Sequence, residues 1–591
     1  MITPMTKITV AAISASKEDT LNSLRDWGLL HILPLQTPEN EQVTAARAAL
    51  ANAQMVFDLL PGKAENKAVA ANSQNILSQI NELLQSKKEA EEALAASSAE
   101  LKKIEPFGDF DPHTIRKLSK RNLHVKLFCT DEKNYKGVEN FAVHIFKKTG
   151  GEIFFAVFGE NHIDLPYTEI PLPSKSVADL KADRDNAAKA LKEFEQKLAA
   201  YASKKQTVGE LVLEASDELA LKAAGAGMHS EIGICFIQGY CPKEKFASLK
   251  ELAAKNGWGI SAQEPAKDEA VPTLLKHNKL VKPMDTLYNA INISPGYKEV
   301  DVSPVFLLFF SIFFAMIVGD AVYGLLFLGI TFFASKKLKK APRYIFHFLY
   351  IMSSCTIFWG ILGAGYLGLN KDSSFVQAID IFRASWMPEA LRNAALWIRN
   401  DDSVKYVCFI LAVIHLTIAH IWNAWINRAD KSKVVSKIGW TCITFMMFLL
   451  VCQLILGHNF PKEAYYLGIA GAGFIVLGSV MRKDWFSLGM LPLSLINSLV
   501  DVISYIRLFA VGMAGYCLAN AFNGVVTPLL DTPIIGALGA ALIMLFVHAL
   551  NIALAVMGVA VHGVRLNTLE FSNNIGVEWS GYAYSPFKKS I

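Results

Sequence analysis

The distribution of hydrophobic and polar residues changes abruptly near residue 303. Before this point, charged residues alternate with apolar ones at helical spacing, and short β-branched runs predict strands. After it come eight apolar runs, at 304–319, 321–335, 345–368, 404–425, 438–457, 464–481, 491–523 and 533–569. A membrane span needs about 20 apolar residues; the first two runs together exceed this, so a break at Gly319-Asp320 predicts two spans. We therefore expect an all-α polytopic membrane domain of about eight transmembrane helices over residues 303–575.

The part before residue 303 predicts soluble α/β units joined by an antiparallel coiled-coil hairpin. The predicted segments are an α/β unit at 1–40 completed by 228–264, helical arms at 41–103 and 174–224, and a distal α/β unit at 106–172. In the second arm, apolar residues recur every three and four positions from Val177 to Val212, which is typical of a coiled-coil seam. An ordinary helical core is the alternative. Residues 1–265 would then form a cytoplasmic domain, followed by a connector at 266–302.

Positive charge is unevenly distributed among the loops between the apolar runs. Lysine and arginine are concentrated at 336–343, at 427–437 and at Arg482-Lys483, whereas the loops at 370–402, 458–463 and 524–533 are mixed or nearly neutral. Cytoplasmic loops of membrane proteins carry an excess of lysine and arginine. Eight spans with both termini in the cytoplasm satisfy this rule, and residues 576–591 become a cytoplasmic tail. The amphipathic segment 380–400 of the large outer loop is expected to lie at the membrane interface.

Composition agrees with a protein that has a soluble part and a membrane part. The chain has 591 residues, of which 52% are hydrophobic, and its net charge of +5 gives no indication of nucleic-acid binding. The N-terminal residues lack the apolar core of a signal peptide. The eight cysteines contain no CxxC motif, which favours reduced thiols. No phosphate-binding GxxxxGK[ST] motif is present in the sequence, so we expect neither a nucleotide nor another cofactor here.

The stretch 491–523 is predicted to be one long membrane helix with Arg507 near its middle. A charge at mid-bilayer costs about 2.5–3.5 kcal/mol on insertion scales, so a residue kept there usually faces protein or a water-filled path. At helical spacing one face holds the arginine: Val500, Ile503, Arg507, Val511 and Ala514. A polar stripe runs beside it (Asn497, Asp501, Ser504), and small residues follow toward the C-terminal end (Gly512, Gly515, Ala519). The pattern favours an ion or substrate pathway. An arginine that neutralises Asp501 or holds a neighbouring helix is the structural alternative.

Other polar residues lie in or beside the apolar runs. Asp320 occupies the outer turn of the first pair, where a turn-forming role and a functional role are equally supported. In the last run, helical spacing brings four residues near one face: Asn551, Gly558, His562 and Arg565. Glu570 lies just beyond this face, and His548 lies off it. No second histidine or carboxylate has ligand spacing with His562, so the sequence predicts no metal site.

Several segments resemble one family, in order, over essentially the whole chain. The run PTLLKHNKLVKPMDTLYNAINISPGYKEVDVSPVFLLFFSIFFAMIVGDAVYGLLF, the segment ISYIRLFAVGMAG, the segment VHGVRLNTLEFSNN and the earlier FIQGYCPKEKF carry the likeness. They are similar to the large stator subunit of V-type and A-type rotary ATPases, called subunit a or subunit I. The resemblance implies that Arg507 meets ring carboxylates, that Arg565 is a second arginine and that Asp320 belongs to an outer half-channel. The chain departs from some relatives at Ala555, where they have glutamate, and at Gly515, where they have histidine.

The resemblance implies a non-catalytic subunit with proton or sodium half-channels, coupled by rotation to ATP hydrolysis or synthesis. The implied partners are a proteolipid ring, peripheral stalk subunits of the E/G type, a central stalk adaptor subunit and membrane lipid, in the cell membrane of a prokaryote. Candidate ion-translocation residues are Arg507, Arg565, Asp501, Asn497, Ser504, His562, Asp320, Asn551 and Glu570, with Asn497 and Asp501 on the inner side. A secondary transporter for an anionic substrate and a membrane-anchored scaffold are the alternative functions.

Overall fold

The computed structural model describes residues 1–62, 73–135, 138, 141–160, 163–266, 268–339, 341–370, 373–531 and 535–590. Parts of the predicted arm at 41–103, the distal unit and the loop at 370–402 lie outside the described residues. The chain forms two compact units. The hairpin unit contains Thr9–Gly239, Leu252–Ser261 and Pro586–Ile591, and the membrane unit contains Met1–Ile8, Tyr240–Glu251 and Ala262–Ser585.

The described strands form two sheets. They are β1 (Met5–Ile13), β2 (His31–Leu33), β3 (His124–Asp131), β4 (Ala142–Thr149), β5 (Glu152–Gly159), β6 (Thr168–Ile170), β7 (His229–Glu231), β8 (Ile234–Pro242) and β9 (Gly259–Gln263). One sheet has the order β2-β8-β1-β9, with β7 paired to β8, and so joins the two ends of the predicted first α/β unit. The distal sheet has the order β4-β5-β3-β6, and its core includes the stacked rings of Phe128 and Phe155.

Two pairs of antiparallel helices make up the arm between the sheets. The helices up to residue 256 are α1 (Lys17–Trp27), α2 (Glu41–Leu59), α3 (Ser73–Ile104), α4 (Pro112–Ser119), α5 (Val177–Ala200), α6 (Lys205–Ala226) and α7 (Phe246–Asn256). The end of α2 packs on the start of α6 through Val56 and Val208. The end of α3 packs on the start of α5 through Leu101 and Val177. Contacts between a late and an early position mean that each pair runs antiparallel, which confirms the predicted hairpin fold.

The membrane unit is helical after the connector. Its helices are α8 (Asp285–Ile291), α9 (Ser303–Val318), α10 (Ala321–Lys337), α11 (Arg343–Gly363), α12 (Ser374–Trp386), α13 (Glu389–Ile398), α14 (Asp401–Ile426), α15 (Lys431–Leu456), α16 (Glu463–Arg482), α17 (Trp485–Gly489), α18 (Leu491–Ile503), α19 (Ile506–Val526), α20 (Ile535–Gly558) and α21 (Ser572–Ile575). The aromatic face of α9 lies at the centre of the core, where Phe306, Phe309, Phe310 and Phe313 are buried.

The number of candidate spans differs from the predicted eight. Among the described residues, six helical segments are long and apolar enough to cross a membrane, or seven if α9 and α10 count as one bent span. At 16 and 17 residues, these two helices rise only about 24–26 Å each. This is shorter than the roughly 30 Å hydrocarbon core. The chain bends by 120° between them, so they do not form one straight span either.

The stretch predicted to be one long helix at 491–523 is in fact interrupted. Helix α18 ends at Ile503 and α19 begins at Ile506, with Ser504 and Tyr505 between them in a turn. At the break the amide of Arg507 donates to the carbonyl of Ser504, three residues back, instead of four. The apolar pattern continues through the break, which is why hydropathy alone did not reveal it; the whole of Leu491–Leu529 still qualifies as one candidate span.

The last span also departs from α-helical geometry. After α20, the residues Val559–Gly563 and Leu566–Phe571 form π-helical turns before α21 begins. A π-helix closes its hydrogen bonds five residues apart and so rotates every later side chain relative to an α-helical wheel. The faces predicted for this segment at 100° per residue are therefore wrong beyond Gly558.

Candidate functional site

The Arg507 side chain pairs with a carboxylate on the last span. Its Nη2 donates to Oε1 of Glu570 at 2.5 Å, and its Nε donates to the carbonyl of Ser504 at 2.9 Å. The Arg507 side chain is 22% exposed and that of Glu570 only 5%. A buried carboxylate is costly unless a cation pairs with it, and Arg507 supplies that charge. The structural alternative of a pair with Asp501 is wrong, because Glu570 takes that place.

The departures from α-helical geometry explain how this pair forms. The break after α18 turns the guanidinium of Arg507 back toward the Ser504 carbonyl, which fixes the orientation of the planar group. The π-helical turn Leu566–Phe571 contains Glu570 and sets its direction. At the end of that turn, the hydroxyl of Ser572 donates to the carbonyl of Asn567 at 2.7 Å, five residues back. Both irregular segments thus converge on one ion pair.

Arg565 lies near the same carboxylate but is much more exposed. Its Nε is 3.8 Å from Oε1 of Glu570, and its side chain is 55% exposed. His562 is half-buried one turn earlier, and its Nδ1 has no hydrogen-bond partner among the residues the structure describes. The second carboxylate oxygen of Glu570, Oε2, likewise has none in the described part of the chain. One buried carboxylate is therefore flanked by one enclosed and one exposed guanidinium.

Asp320 caps the start of α10. Its carboxylate accepts hydrogen bonds from the amides of Val322 at 2.8 Å and Tyr323 at 3.2 Å, and from the amide of Leu367. Side-chain oxygens at such positions satisfy amides that have no partner within the helix. The turn-forming role predicted for Asp320 is therefore confirmed, and the carboxylate also holds the loop around Leu367 against the bend between α9 and α10.

Next to this turn, three polar side chains form a connected group. The hydroxyl of Tyr323 lies 2.7 Å from Nδ1 of His548, and Nδ2 of Asn551 donates to that hydroxyl at 3.1 Å. The same Asn551 amide donates to the carbonyl of Gly515 at 3.0 Å. Tyr323 was not among the residues predicted from the sequence, and His548 was predicted to lie off the polar face. The sequence did contain a signal: His548 precedes Asn551 by three residues, and residues three apart on an α-helix lie on the same face.

A small cavity adjoins this group and is lined by Asp320, Tyr323, Gly515, Tyr516 and Asn551, among others. Small residues on α19 allow the surrounding helices to come close. A Cβ atom at Gly512 would lie 2.6 Å from the carbonyl oxygen of Met316, and one at Gly515 would lie 3.0 Å from Oδ1 of Asn551. The predicted close approach of other helices to these glycines is confirmed. A histidine at position 515 would not fit beside Asn551 as it stands.

A third polar group lies on the other side of the Arg507–Glu570 pair along α18. Asn574 donates from Nδ2 to the carboxylate of Asp501 at 3.2 Å and to the backbone carbonyl of Glu570 at 2.6 Å, so it ties Asp501 to the turn that carries Glu570. Asn497 is exposed, and the hydroxyl of Ser504 donates to the Val500 carbonyl of its own helix at 2.8 Å. Asn574 had no signal in the sequence, because the π-helical turns determine its direction.

The polar residues named in the sequence analysis thus fall into three groups. The central group is Arg507, Glu570, Arg565 and His562; the second is Asp320 and Asn551 with Tyr323 and His548; the third is Asp501 with Asn574, with Asn497 and Ser504 on the same helix. Among the described residues, no three histidine, cysteine, aspartate or glutamate side chains lie together as a metal ligand set would.

The chain is similar to named proteins over its whole length. It is 30% identical to the V-type ATP synthase subunit I of Borreliella burgdorferi and 28% identical to V-type ATP synthase subunit I 1 of Treponema pallidum, with full coverage of both chains in each case. It is 26% identical to the A-type ATP synthase subunit I of Methanocaldococcus jannaschii, over 70% of this chain and 64% of that protein.

Comparisons with protein-family models and with solved structures give less support than these relatives. No protein-family model matches the chain. A solved structure of the cytoplasmic N-terminal domain of subunit I, homolog of subunit a, of V-ATPase matches 44% of this chain and all of that one, with 15% identity and a TM-score of 0.23. The 30% identity over the entire length of the Borreliella protein is sufficient: the chain belongs to the V-type ATP synthase subunit I family.

Proposed function

We propose that this protein is the non-catalytic, ion-conducting stator subunit of a V/A-type rotary ATPase. In this role it presents Arg507 to the carboxylates of a rotating proteolipid ring and couples ion movement to ATP hydrolysis or synthesis. The observation that carries the proposal is the partly exposed Arg507 paired with the buried Glu570 inside a set of apolar helices. A guanidinium among membrane-spanning helices costs free energy, whereas an apolar side chain could join two helices without that cost.

The surface around the arginines supports contact with the ring. Apolar side chains of α18 and of the π-helical turns before and after Arg565 are exposed, including Ile496, Val500, Val561 and Leu569. On α19 the exposed positions near the arginine are small: Ala510 and Ala514. A surface of this kind suits either lipid or the apolar helices of a ring, and small side chains permit close approach.

The chemistry follows from the permanent charge of arginine. A carboxyl group carried through lipid is neutral, either protonated or with a bound sodium ion, because the charged form is poorly solvated there. Next to a guanidinium the carboxylate form becomes favourable, and the ion leaves. Arginine stays charged under all physiological conditions and can engage a carboxylate with two parallel hydrogen bonds. Arg507 would leave Glu570 to pair with a ring carboxylate, and would return to Glu570 when that carboxylate moves on.

The two polar groups beside the central pair supply the two half-channels in this proposal. Asp320, Asn551, Tyr323 and His548, with their small cavity, form the outer path. Asn497, Asp501, Ser504 and Asn574 form the inner path on the cytoplasmic side. Arg565, which is more than half exposed and lies 3.8 Å from Glu570, helps to keep the paths separate, together with His562 one turn earlier.

The remaining partners are assigned by the same proposal. The hairpin unit binds peripheral stalk subunits of the E/G type and resists torque, while a central stalk adaptor completes the complex. The helices lie in the cell membrane of a prokaryote with both termini in the cytoplasm. The lysine-rich loops at 336–343 and 427–437 support this orientation.

The test is ATP-driven ion uptake into vesicles that hold the assembled complex. Arg507→Ala and Arg507→Lys are both expected to abolish uptake per assembled complex. Arg507→Ala also removes the closest cation of the buried Glu570 and should lower the amount of complex. Lysine loses its proton more easily in apolar surroundings and lacks the planar fork of arginine. Arg482→Ala, at the exposed end of α16, is the matched control and should transport normally.

Uptake is normalised to the amount of subunit that co-purifies with the ring. If Arg507 serves only to hold two helices together, Arg507→Lys will transport normally and Arg507→Ala will mainly lower the amount of assembled complex. Near-normal uptake per complex in either variant would refute the proposed mechanism.

A further inference from the structure

A fully buried histidine, His415 on α14, lies behind the Arg507–Glu570 pair. Its side chain is inaccessible to solvent, as is that of Tyr505 at the break between α18 and α19. Nδ1 of His415 and the hydroxyl of Tyr505 lie 2.7 Å apart and share a hydrogen bond. Tyr505 precedes Arg507 by two residues, so this bond holds the irregular segment from which the arginine projects.

The same imidazole ring is clamped between two aromatic rings. It stacks on Phe309 of α9 with centroids 4.0 Å apart and on Phe571 with centroids 4.4 Å apart, at an angle of only 9° to the second ring. Phe571 directly follows Glu570 and ends the π-helical turn. His415 therefore contacts the neighbours of both members of the ion pair, through a hydrogen bond on one side and a stacked face on the other.

A buried polar network at this place has an energetic cost that a plain apolar core would avoid. Nε2 of His415 has no hydrogen-bond partner within the described part of the chain. An unpaired buried polar atom is destabilising, because it has lost its hydrogen bonds to water without replacement. A leucine or phenylalanine would fill the space between the rings without that cost. The imidazole at this position is thus explained by its other nitrogen, Nδ1, which bonds the hydroxyl of Tyr505.

We propose that His415 is a positioning residue for ion translocation, which fixes the backbone carrying Arg507 relative to the turn carrying Glu570. This inference rests on the proposed function. During turnover Arg507 must loosen its ion pair with Glu570, engage a ring carboxylate and then re-form the pair. Only the side chains should move in this exchange, because a displacement of about 1 Å between reacting groups can reduce a rate by two orders of magnitude. The Tyr505–His415–Phe571 assembly keeps both backbones in place.

The experiment measures ions transported per ATP hydrolysed by the assembled complex in vesicles. Tyr505→Phe removes one buried oxygen atom and leaves the ring, so it tests the hydrogen bond with the least disturbance of folding. His415→Phe keeps the aromatic stack and removes the same bond. His415→Asn keeps a polar nitrogen near the position of Nδ1 and loses the stack. We expect about a fivefold lower ratio in the first two variants, the size of one lost hydrogen bond.

Combining Tyr505→Phe with His415→Phe should reduce the ratio no further than either change alone, because both remove one bond. His415→Asn should recover part of the ratio. The matched control is His420→Phe on the same helix, a buried histidine whose partner is Thr444 at 3.2 Å, and it should leave the ratio unchanged.

A role confined to packing would lower the amount of complex and leave the ratio per complex unchanged. That result, or additive losses in the double variant, would overturn the proposal. Its failure is distinct from failure of the proposed function: normal coupling in these variants together with complete loss in Arg507→Ala would reject only the role of His415.

Discussion

The two arginines of the central group differ in how each relates to Glu570. Arg507 is mostly enclosed and donates directly to the carboxylate, whereas Arg565 is more than half exposed and reaches it only at 3.8 Å. Exposed ion pairs contribute little to stability, typically below about 1 kcal/mol, while loss of the partner of a buried charge costs far more. The geometry therefore ranks the two residues, although each is an arginine near the same acid.

Arg565→Ala is predicted to impair coupling less than loss of Arg507. Glu570 keeps its closer guanidinium in this variant, so the buried carboxylate stays paired and the central group keeps its shape. Ion uptake per ATP hydrolysed, measured on equal amounts of assembled complex, should fall only partly. Equal and complete loss in Arg565→Ala and Arg507→Ala, with normal assembly in both, would contradict this ranking.

At the scale of elements, hydrophobic patterning predicted the helices correctly but not their irregularities. Periodicity identified the arm helices and the apolar segments, because burial of one face determines both. It missed the break at Ser504-Tyr505 and the π-helical turns after Gly558. These depend on tertiary contacts, such as the Tyr505 hydroxyl on His415, that leave no trace in local hydropathy. The site was therefore predicted as a set of residues, without Tyr323, His548, Asn574 and His415.

The connector before α9 contains a buried charged group that lies outside the membrane spans. Nδ1 of His277 bonds Asp285 at 2.5 Å and its Nε2 lies 3.4 Å from Asp301, whose carboxylate also accepts from the amide of Ser303 at the start of α9. Burial alone would lower the pKa of His277, but the bonds to Asp285 and Asp301 outweigh it and raise the pKa to about 9. The histidine is therefore charged at neutral pH and ties the connector to the first membrane helix.

This group predicts a stability that falls in mild alkali. Because the folded pKa of His277 is raised above its ordinary value near 6.5, the stabilisation is complete below that value and is lost as pH rises through about 9. The shift corresponds to on the order of 3 kcal/mol. We expect the thermal unfolding midpoint of the purified protein to fall between pH 7 and 10, and the His277→Gln variant to show a smaller fall. Identical pH profiles for the two proteins would refute the role of His277.

At the scale of the whole molecule, the path of its first two helices decides the topology of the membrane unit. The sequence predicted eight spans, while length and composition in the described part of the chain support six, or seven with α9 and α10 as one bent span. The 120° bend at Gly319-Asp320 and the capping of α10 by Asp320 favour a pair that turns back toward its starting side. The orientation of everything before α9 depends on this point.

Cysteine labelling decides between the two paths. Lys298 precedes α9, Lys339 follows α10, and Ser374 lies beyond α11; all three side chains are exposed. In a background without the eight native cysteines, single cysteines at 298 and 339 should react with an impermeant reagent from the cytoplasmic side. A cysteine at 374 should react from the opposite side, because α11, between 339 and 374, is long and apolar enough to cross the membrane. The unsubstituted background is the control for non-specific labelling.

If positions 298 and 339 react from opposite sides, α9 and α10 form one broken span, and the domain before α9 lies across the membrane from the lysine-rich loop at 336–343. That result would overturn both the eight-span topology and the cytoplasmic placement of the hairpin unit.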